Sequence, residues 1–320
     1  MSKLNYRVYG VCGVRAIMAN WNADFTGYPK SLSNGQFFAS DKALKYPMKV
    51  KWQNNGEKVL YIKSYLISDS GFLIPRTLKE RYEKIFKTEL TNSKKGESEK
   101  VLTNLFSAID VKNFGATFAE AGNNISITGA VQISQGLNKY EGAKAREQNI
   151  LSPFRDPKAK EKSENNEEAK SSTLGTKIVS EEAHYYYSFV VNPLAYNAYE
   201  ELGVTEGYEE EDYKKFKSAA IDSATSFATN SKVGAENEFA MFVETDLDLY
   251  LPNLAELIRF EKVDENSKDK LYFTDSNILE NRGEIKKIEI YFNDKYLDLI
   301  DFPKNADFYN IFTGEKIEVK

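Results

Sequence analysis

The chain contains one cysteine, Cys12, and one histidine, His184, and these two counts bound the chemistry available to it. A single thiol allows no internal disulfide and no thiolate cluster for structural zinc. A single histidine closes off zinc sites of the Cys/His type and any catalytic pair of histidines. A Ser-His-Asp triad or a Cys-His pair would have to run through His184. That residue opens the aromatic run His184-Tyr-Tyr-Tyr-Ser-Phe189, with no nucleophile motif around it. It reads as a strand histidine at a sheet surface, and carboxylate-based metal chemistry stays open. The remaining groups of interest are cations. Lys42, Lys45 and Lys49 recur at spacings of three and four, which puts at least Lys42 and Lys45 on one side of a helix.

Charge is distributed unevenly. Residues 1–100 carry 18 Lys/Arg against 9 Asp/Glu, whereas residues 181–320 carry 15 against 30. A basic front half suits contact with a polyanion, because phosphate binding depends on local rather than total charge. Charge also drifts along chains without functional consequence. With 320 residues the chain can bury a sizeable core as one elaborated domain or two small ones. No apolar run approaches the roughly 20 residues of a membrane-spanning helix. Tyr6, Arg7, Tyr9 and Arg15 interrupt the amino-terminal apolar stretch, so no secretion signal is expected and the expected location is the cytoplasm.

The elements that must position these residues follow from periodicity. Residues 5–18 alternate, with Tyr6, Val8, Cys12, Val14 and Ala16 on a core face and Arg7, Tyr9 and Arg15 on the other. Cations with an aromatic suit a nucleic-acid platform, and equally any solvated sheet. Asn20 to Gly35 is rich in turn formers and predicts a loop. Ser40 can cap a short helix from Asp41 to about Tyr46, which Pro47 is expected to end. Residues 58–67 read as a strand, Pro75 as the start of a helix carrying Leu78, Tyr82, Ile85 and Phe86, and Val101–Ala108 as a further helical piece. Ile125–Ser134 and Ala183–Val191 predict strands on either side of a long insertion. Its middle, Asp156–Ser172, has nine charged residues in seventeen and predicts a mobile segment. A helix from about Glu209 to Ala228, a strand Glu238–Thr245 and short aromatic strands complete the chain. This order predicts an α+β fold: an antiparallel sheet with helices on one face, with the ferredoxin-like split arrangement as the candidate.

Four segments carry a resemblance. They are the first strand running into Ala19-Asn20-Trp21-Asn22-Ala23-Asp24; Phe38-Ala-Ser40-Asp-Lys-Ala-Leu-Lys45-Tyr-Pro-Met-Lys49; the pair Asp110-Val-Lys-Asn-Phe-Gly-Ala116 and Ile127-Thr-Gly-Ala-Val-Gln-Ile133; and Ser231-Lys-Val-Gly-Ala-Glu-Asn-Glu-Phe239. In order and spacing they resemble the backbone subunits of type I CRISPR Cascade, the seventh Cas family of the RAMP superfamily, and particularly its subtype I-B or DevR-like branch.

The resemblance implies a modified RRM-like palm (residues 1–49, 109–135 and 183–320), fingers at about 50–108 and a thumb hairpin at about 136–182. It also implies a non-catalytic role in antiviral defence. Copies would stack head to tail in an open helical filament along a crRNA, displaying it for target DNA. A small 5′-capping subunit and a large subunit would be the neighbours, with no catalytic residue, metal or cofactor.

On this resemblance Lys45 and Lys49 are the expected phosphate contacts, followed by Lys42, Ser40, Asn20 and Asn22, with Arg15 and Lys112 as further RNA contacts. Phe154, Leu151 and Leu174 are the thumb candidates, either as a wedge between bases or as packing of the hairpin on the palm. Two enzymatic alternatives stand beside this reading. One is a type III-like subunit cleaving target RNA with Asp24; the other is a guide-precursor endoribonuclease using His184 and tyrosines. A scaffold without nucleic acid is the third.

Overall fold

The alternation at the amino end does form a strand, Arg7–Ala19, and it lies near the middle of the sheet. Its antiparallel neighbours are Ser171–Val191, in register from Val8↔Val191 to Ala16↔Ala183, and Ala235–Thr245. The computed structural model describes residues 2–91, 97–155, 171–264 and 267–318, with the side chains of 151–155 and 171–174 outside that description. The expected charged segment 156–170 also lies outside the described residues.

Among the described residues the large sheet has ten strands. Beyond Ala235–Thr245 it continues through Ile285–Phe292, Asp307–Asn310 and Lys316–Ile317; beyond Ser171–Val191 it continues through Gly136–Asn138 and Phe38–Ala39. Within this sheet, among the described residues, only the pairing of Ile285–Phe292 with Asp307–Asn310 is parallel. The chain is thus a mixed α+β protein built on a large, mostly antiparallel sheet. The lower part of Ser171–Val191 leaves the sheet body paired with Ala145–Arg155 as a long hairpin, in register from Ser180↔Ala145 to Gly175↔Ile150 and shifted beyond it, to Thr173↔Leu151 and Ser171↔Arg155. Among the described residues, no helix is long and apolar enough to cross a membrane.

The helices Asp41–Asn54 and Glu210–Ser226 cover one face, above a core that includes Val8, Cys12, Val14, Phe189 and Phe242. The first of these helices does not stop at Pro47 but runs to Asn54. Its buried residues Leu44, Pro47, Met48 and Trp52 face Glu210–Ser226, and the Trp52 indole donates to the Lys215 carbonyl at 3.2 Å. That burial outweighs the hydrogen bond Pro47 cannot donate and the local preference of Tyr46.

The opposite face is covered too, which corrects the expectation of an open cationic platform. A three-stranded sheet, Ile258–Glu261, Asp269–Phe273 and Leu297–Ile300, packs a second core against Tyr9, Val11, Phe239, Met241 and Val243. Tyr9 is buried, with its hydroxyl donating to the Leu249 carbonyl at 3.0 Å, and Arg7 donates to the Leu247 carbonyl at 2.6 Å. The signal was present in Phe239-Ala-Met-Phe-Val243, an unbroken apolar run of the kind that strands covered on both faces need.

Three further elements differ from expectation. Pro75 ends the short strand Leu73–Pro75, and the helix expected to start there begins at Leu78 behind its N-cap Thr77. Residues 58–67 are extended into a strand only at Tyr65–Ile67. The stretch before it is held instead by the buried Asp110 carboxylate, which accepts the Leu60 and Tyr61 amides at 2.8 and 2.7 Å. Ile125–Ser134 is two strands, Ile125–Thr128 and Val131–Ile133, broken at Gly129. There the backbone passes so close to Phe114 and Gly115 that a β-carbon would collide with main-chain atoms.

Candidate nucleic-acid interface

The site is the corner where the first strand ends, between the hairpin base and the start of the helix Asp41–Asn54. Residues 22–30 fold back on themselves, with the Lys30 amide donating to the Asn22 carbonyl at 3.0 Å and the Asp24 amide to the Tyr28 carbonyl at 2.8 Å. One Asp24 carboxylate oxygen accepts from the Thr26 amide (2.8 Å), the Thr26 hydroxyl (2.7 Å) and the Tyr28 amide (3.1 Å). Those bonds, the Thr26 hydroxyl foremost, hold the carboxyl below the usual carboxylate range.

Asn20 is buried and braces this loop. Its amide donates to the Gly27 carbonyl at 2.8 Å and to the Ile178 carbonyl of the hairpin at 3.1 Å. The Tyr28 hydroxyl adds a bond to Glu147 on the other hairpin strand at 2.7 Å. Asn22 links the loop to the helix: its side-chain oxygen accepts both the amide (2.8 Å) and the hydroxyl (2.9 Å) of Ser40. Ser40 is therefore the N-cap by position, but its hydroxyl makes no capping bond.

The cations fall into three groups. Lys42 and Lys30 have no carboxylate partner among the described residues, and Lys42 is exposed. Lys45 lies in the corner but is paired with Asp41 at 2.8 Å, its side chain 14% exposed. Lys49 points inward and donates to the Tyr61 carbonyl at 3.3 Å, and burial holds its ammonium below the usual lysine range. Arg15 lies on the covered face, 3.5 Å from Glu236 and stacked over the Tyr296 ring. Lys112 is bound between Glu209 and Asp212 at 3.2 and 3.1 Å, away from the corner. The structure thus brings Asn20, Asn22, Ser40, Lys42 and Lys45 together and sets Arg15 and Lys112 apart. Leu151, Phe154 and Leu174 belong to hairpin strands, with their side chains outside the described residues.

Lys232 completes the corner from the far side of the chain. Its ammonium donates to the Asn20 carbonyl at 2.6 Å and to the Trp21 carbonyl, and burial lowers it to about 8. Its place in the sequence, next to Ser231 and far from the amino-terminal lysines, gives no hint of that contact.

His184 is buried rather than at a surface. Its ring stacks on Phe260 at 4.0 Å, with Nδ1 2.9 Å from Glu238 and Nε2 3.2 Å from Glu182. Burial disfavours the charged ring, but the Glu238 charge and the bonds to both carboxylates outweigh it and raise His184 to about 8. Glu182, His184 and Asp269 place ligand atoms within 4.8 Å of one another, close enough to reach one metal ion. The Lys262 ammonium lies against two of these groups, 2.6 Å from Glu182 and 3.2 Å from Asp269.

A large, mostly antiparallel sheet with helices on one face and a long hairpin leaving its middle defines the class of fold. It is shared with a chain of a solved structure described as "CRISPR RNA-guided surveillance complex, pre-nicking", at a TM-score of 0.56 and 10% identity over 95% of this chain and 96% of that one. A chain of a second "CRISPR RNA-guided surveillance complex" is similar at a TM-score of 0.43 and 12% identity, over 90% of this chain and 91% of that one. No curated protein sequence matches. Residues 6–280 match the family model of CRISPR-associated protein Cas7, and the chain belongs to that family.

Proposed function

We propose that this chain is a guide-binding backbone subunit of a type I CRISPR surveillance complex, of the I-B or DevR-like kind, and that it has no catalytic role. Copies follow one another head to tail along a crRNA in the cytoplasm and display it to target DNA, between a small 5′-capping subunit and a large subunit. The observation that carries the reading is the family match over residues 6–280. The geometry of the corner supports it. A subunit that coats any guide must hold phosphates and sugars rather than read base edges. Asn22, Ser40, Lys42 and Lys30 offer polar groups and positive charge on a braced surface, and Lys45 can leave Asp41 for a phosphate.

Two observations favour the non-catalytic reading. One carboxylate oxygen of Asp24 is engaged in three bonds that shape its own loop. His184 is enclosed, with no face open to a substrate.

The test is binding of labelled single-stranded RNA by the full chain. In the double variant Lys30→Glu/Lys42→Glu, affinity should fall for every sequence alike. The slope of log affinity against log salt should shrink by about 1.4, roughly 0.7 for each phosphate that the variant no longer neutralises. Unchanged affinity would show that RNA does not follow this corner. RNA copurifying with the protein should carry CRISPR repeat sequence. Complementary RNA incubated with the guide-loaded protein should remain intact; cuts at regular intervals, abolished by Asp24→Asn, would replace the proposal with the enzymatic alternative.

A further inference from the structure

Phe25 stands at the tip of the loop formed by residues 22–30 and is the most exposed large apolar side chain among the described residues. Turn tips favour glycine, proline, asparagine or aspartate, which supply particular backbone angles or local hydrogen bonds, and a phenyl ring serves neither purpose. The ring is fully open to solvent, so the hydrophobic effect within the fold gives no reason for it to be there. Yet the loop that carries it is fixed from three directions: by the Asp24 carboxylate from within, by the Asn20 amide to Gly27 at 2.8 Å, and by the Tyr28 hydroxyl to Glu147 at 2.7 Å. The ring is thus held out on a stalk whose ordering is complete before anything binds.

We infer that Phe25 is a stacking shelf for an unpaired nucleobase of the bound RNA. The inference rests on the reading of the corner as the RNA track. The surroundings fit one planar apolar group on an RNA track: Thr26 next to Phe25 in the chain is polar, the Asp24 carboxylate is tied into the loop by Thr26 and Tyr28, and Lys30 and Lys42 supply positive charge without carboxylate partners among the described residues. A protein partner would call for a contiguous apolar patch of several hundred Å², whereas the loop of residues 22–30 adds only the partly exposed Tyr28 to the Phe25 ring. Stacking is indifferent to base identity, since every base has a π-face, so it suits a subunit that must accept any guide.

The experiment compares Phe25→Ala with the wild type on two labelled RNAs of equal length, one with bases and one abasic. The ring contributes no packing to the fold, so the variant should unfold at the wild-type temperature. It should bind the base-bearing RNA about tenfold more weakly and the abasic RNA as the wild type does. Phe25→Trp should bind like the wild type, and its indole emission should be quenched by the base-bearing RNA alone, against the buried Trp21 and Trp52. Equal binding of both RNAs by wild type and Phe25→Ala would overturn the shelf and leave the RNA track standing. An equal loss on both RNAs would also overturn it, by assigning the ring to the loop's shape. Loss of self-association in guide-free Phe25→Ala would assign the ring to a protein contact. Failure of the wild type to bind either RNA would bring down the track itself, and the shelf with it.

Discussion

Lys42 and Lys49 belong to the same helix, two turns apart, yet their ammonium groups meet different surroundings. Lys42 is in water, whereas Lys49 is folded inward within the electrostatic reach of Asp110. Lys49→Glu would bury a second carboxylate beside Asp110, whose own acidity is already weakened by burial. Removing one member of a buried charge pair and reversing it should cost about 3 kcal/mol in urea denaturation. Lys42→Glu should stay within about 0.5 kcal/mol of the wild type, because Lys42 is exposed and has no carboxylate partner among the described residues. RNA binding abolished in Lys49→Glu would therefore report damage to the fold, while the same defect in Lys42→Glu would report contact. Asn20 poses the complementary case. Asn20→Ala would leave the Gly27 and Ile178 carbonyls without their donor, and should lower stability by about 2 kcal/mol in the same measurement.

At the scale of elements, the break at Gly129 positions the segment Ile109–Gly115 against the sheet. The Tyr196 hydroxyl lies across the same junction, donating to the Lys112 carbonyl at 2.7 Å and accepting the Ala130 amide at 3.0 Å. Gly129→Ala would drive a methyl group into the main chain of Asn113, Phe114 and Gly115 and should cost about 3 kcal/mol or more, read as a fall in the urea midpoint. Gly56→Ala, with open space around the added carbon, is the control for steric crowding, although its positive φ of 85° adds a smaller strain of its own. The two predicted strands on either side of the long insertion were legible because their periodicity or aromatic run is strong. The interruption at Gly129 was not, since only the approach of Phe114, distant in sequence, requires glycine there.

For the whole molecule, the His184 cluster joins the large sheet to the three-stranded layer. Glu182, His184 and Glu238 come from the sheet; Phe260, Lys262 and Asp269 come from the layer; Tyr140 meets the imidazole edge-on. The folded state raises His184 from 6.5 to about 8, so its charged form is favoured by folding. That stabilisation is fully present below about pH 6.5 and is lost as pH rises through about 8. It corresponds to about 2 kcal/mol. The difference in unfolding free energy between wild type and His184→Gln should therefore shrink by about that amount across this window. A difference independent of pH would mean that the ring acts by packing alone.

What the sequence determined by itself was local or additive. Alternation and apolar runs specified the principal strands and the helix Glu210–Ser226, and the counts of cysteine and histidine excluded whole classes of chemistry. Ordered motifs also singled out Asn20, Asn22 and Ser40, which the fold then brings to one corner. Tertiary structure decided everything that depends on which groups come to face each other. It extended a helix through Pro47 by burying Trp52 and closed the second face of the sheet over Tyr9 and Arg7. It also distributed the lysines among water, carboxylates and the interior, and brought Lys232 to the carbonyls of Asn20 and Trp21. Periodicity records which side of an element is apolar, but a charge or a ring takes its role from neighbours that the chain supplies from far along its length.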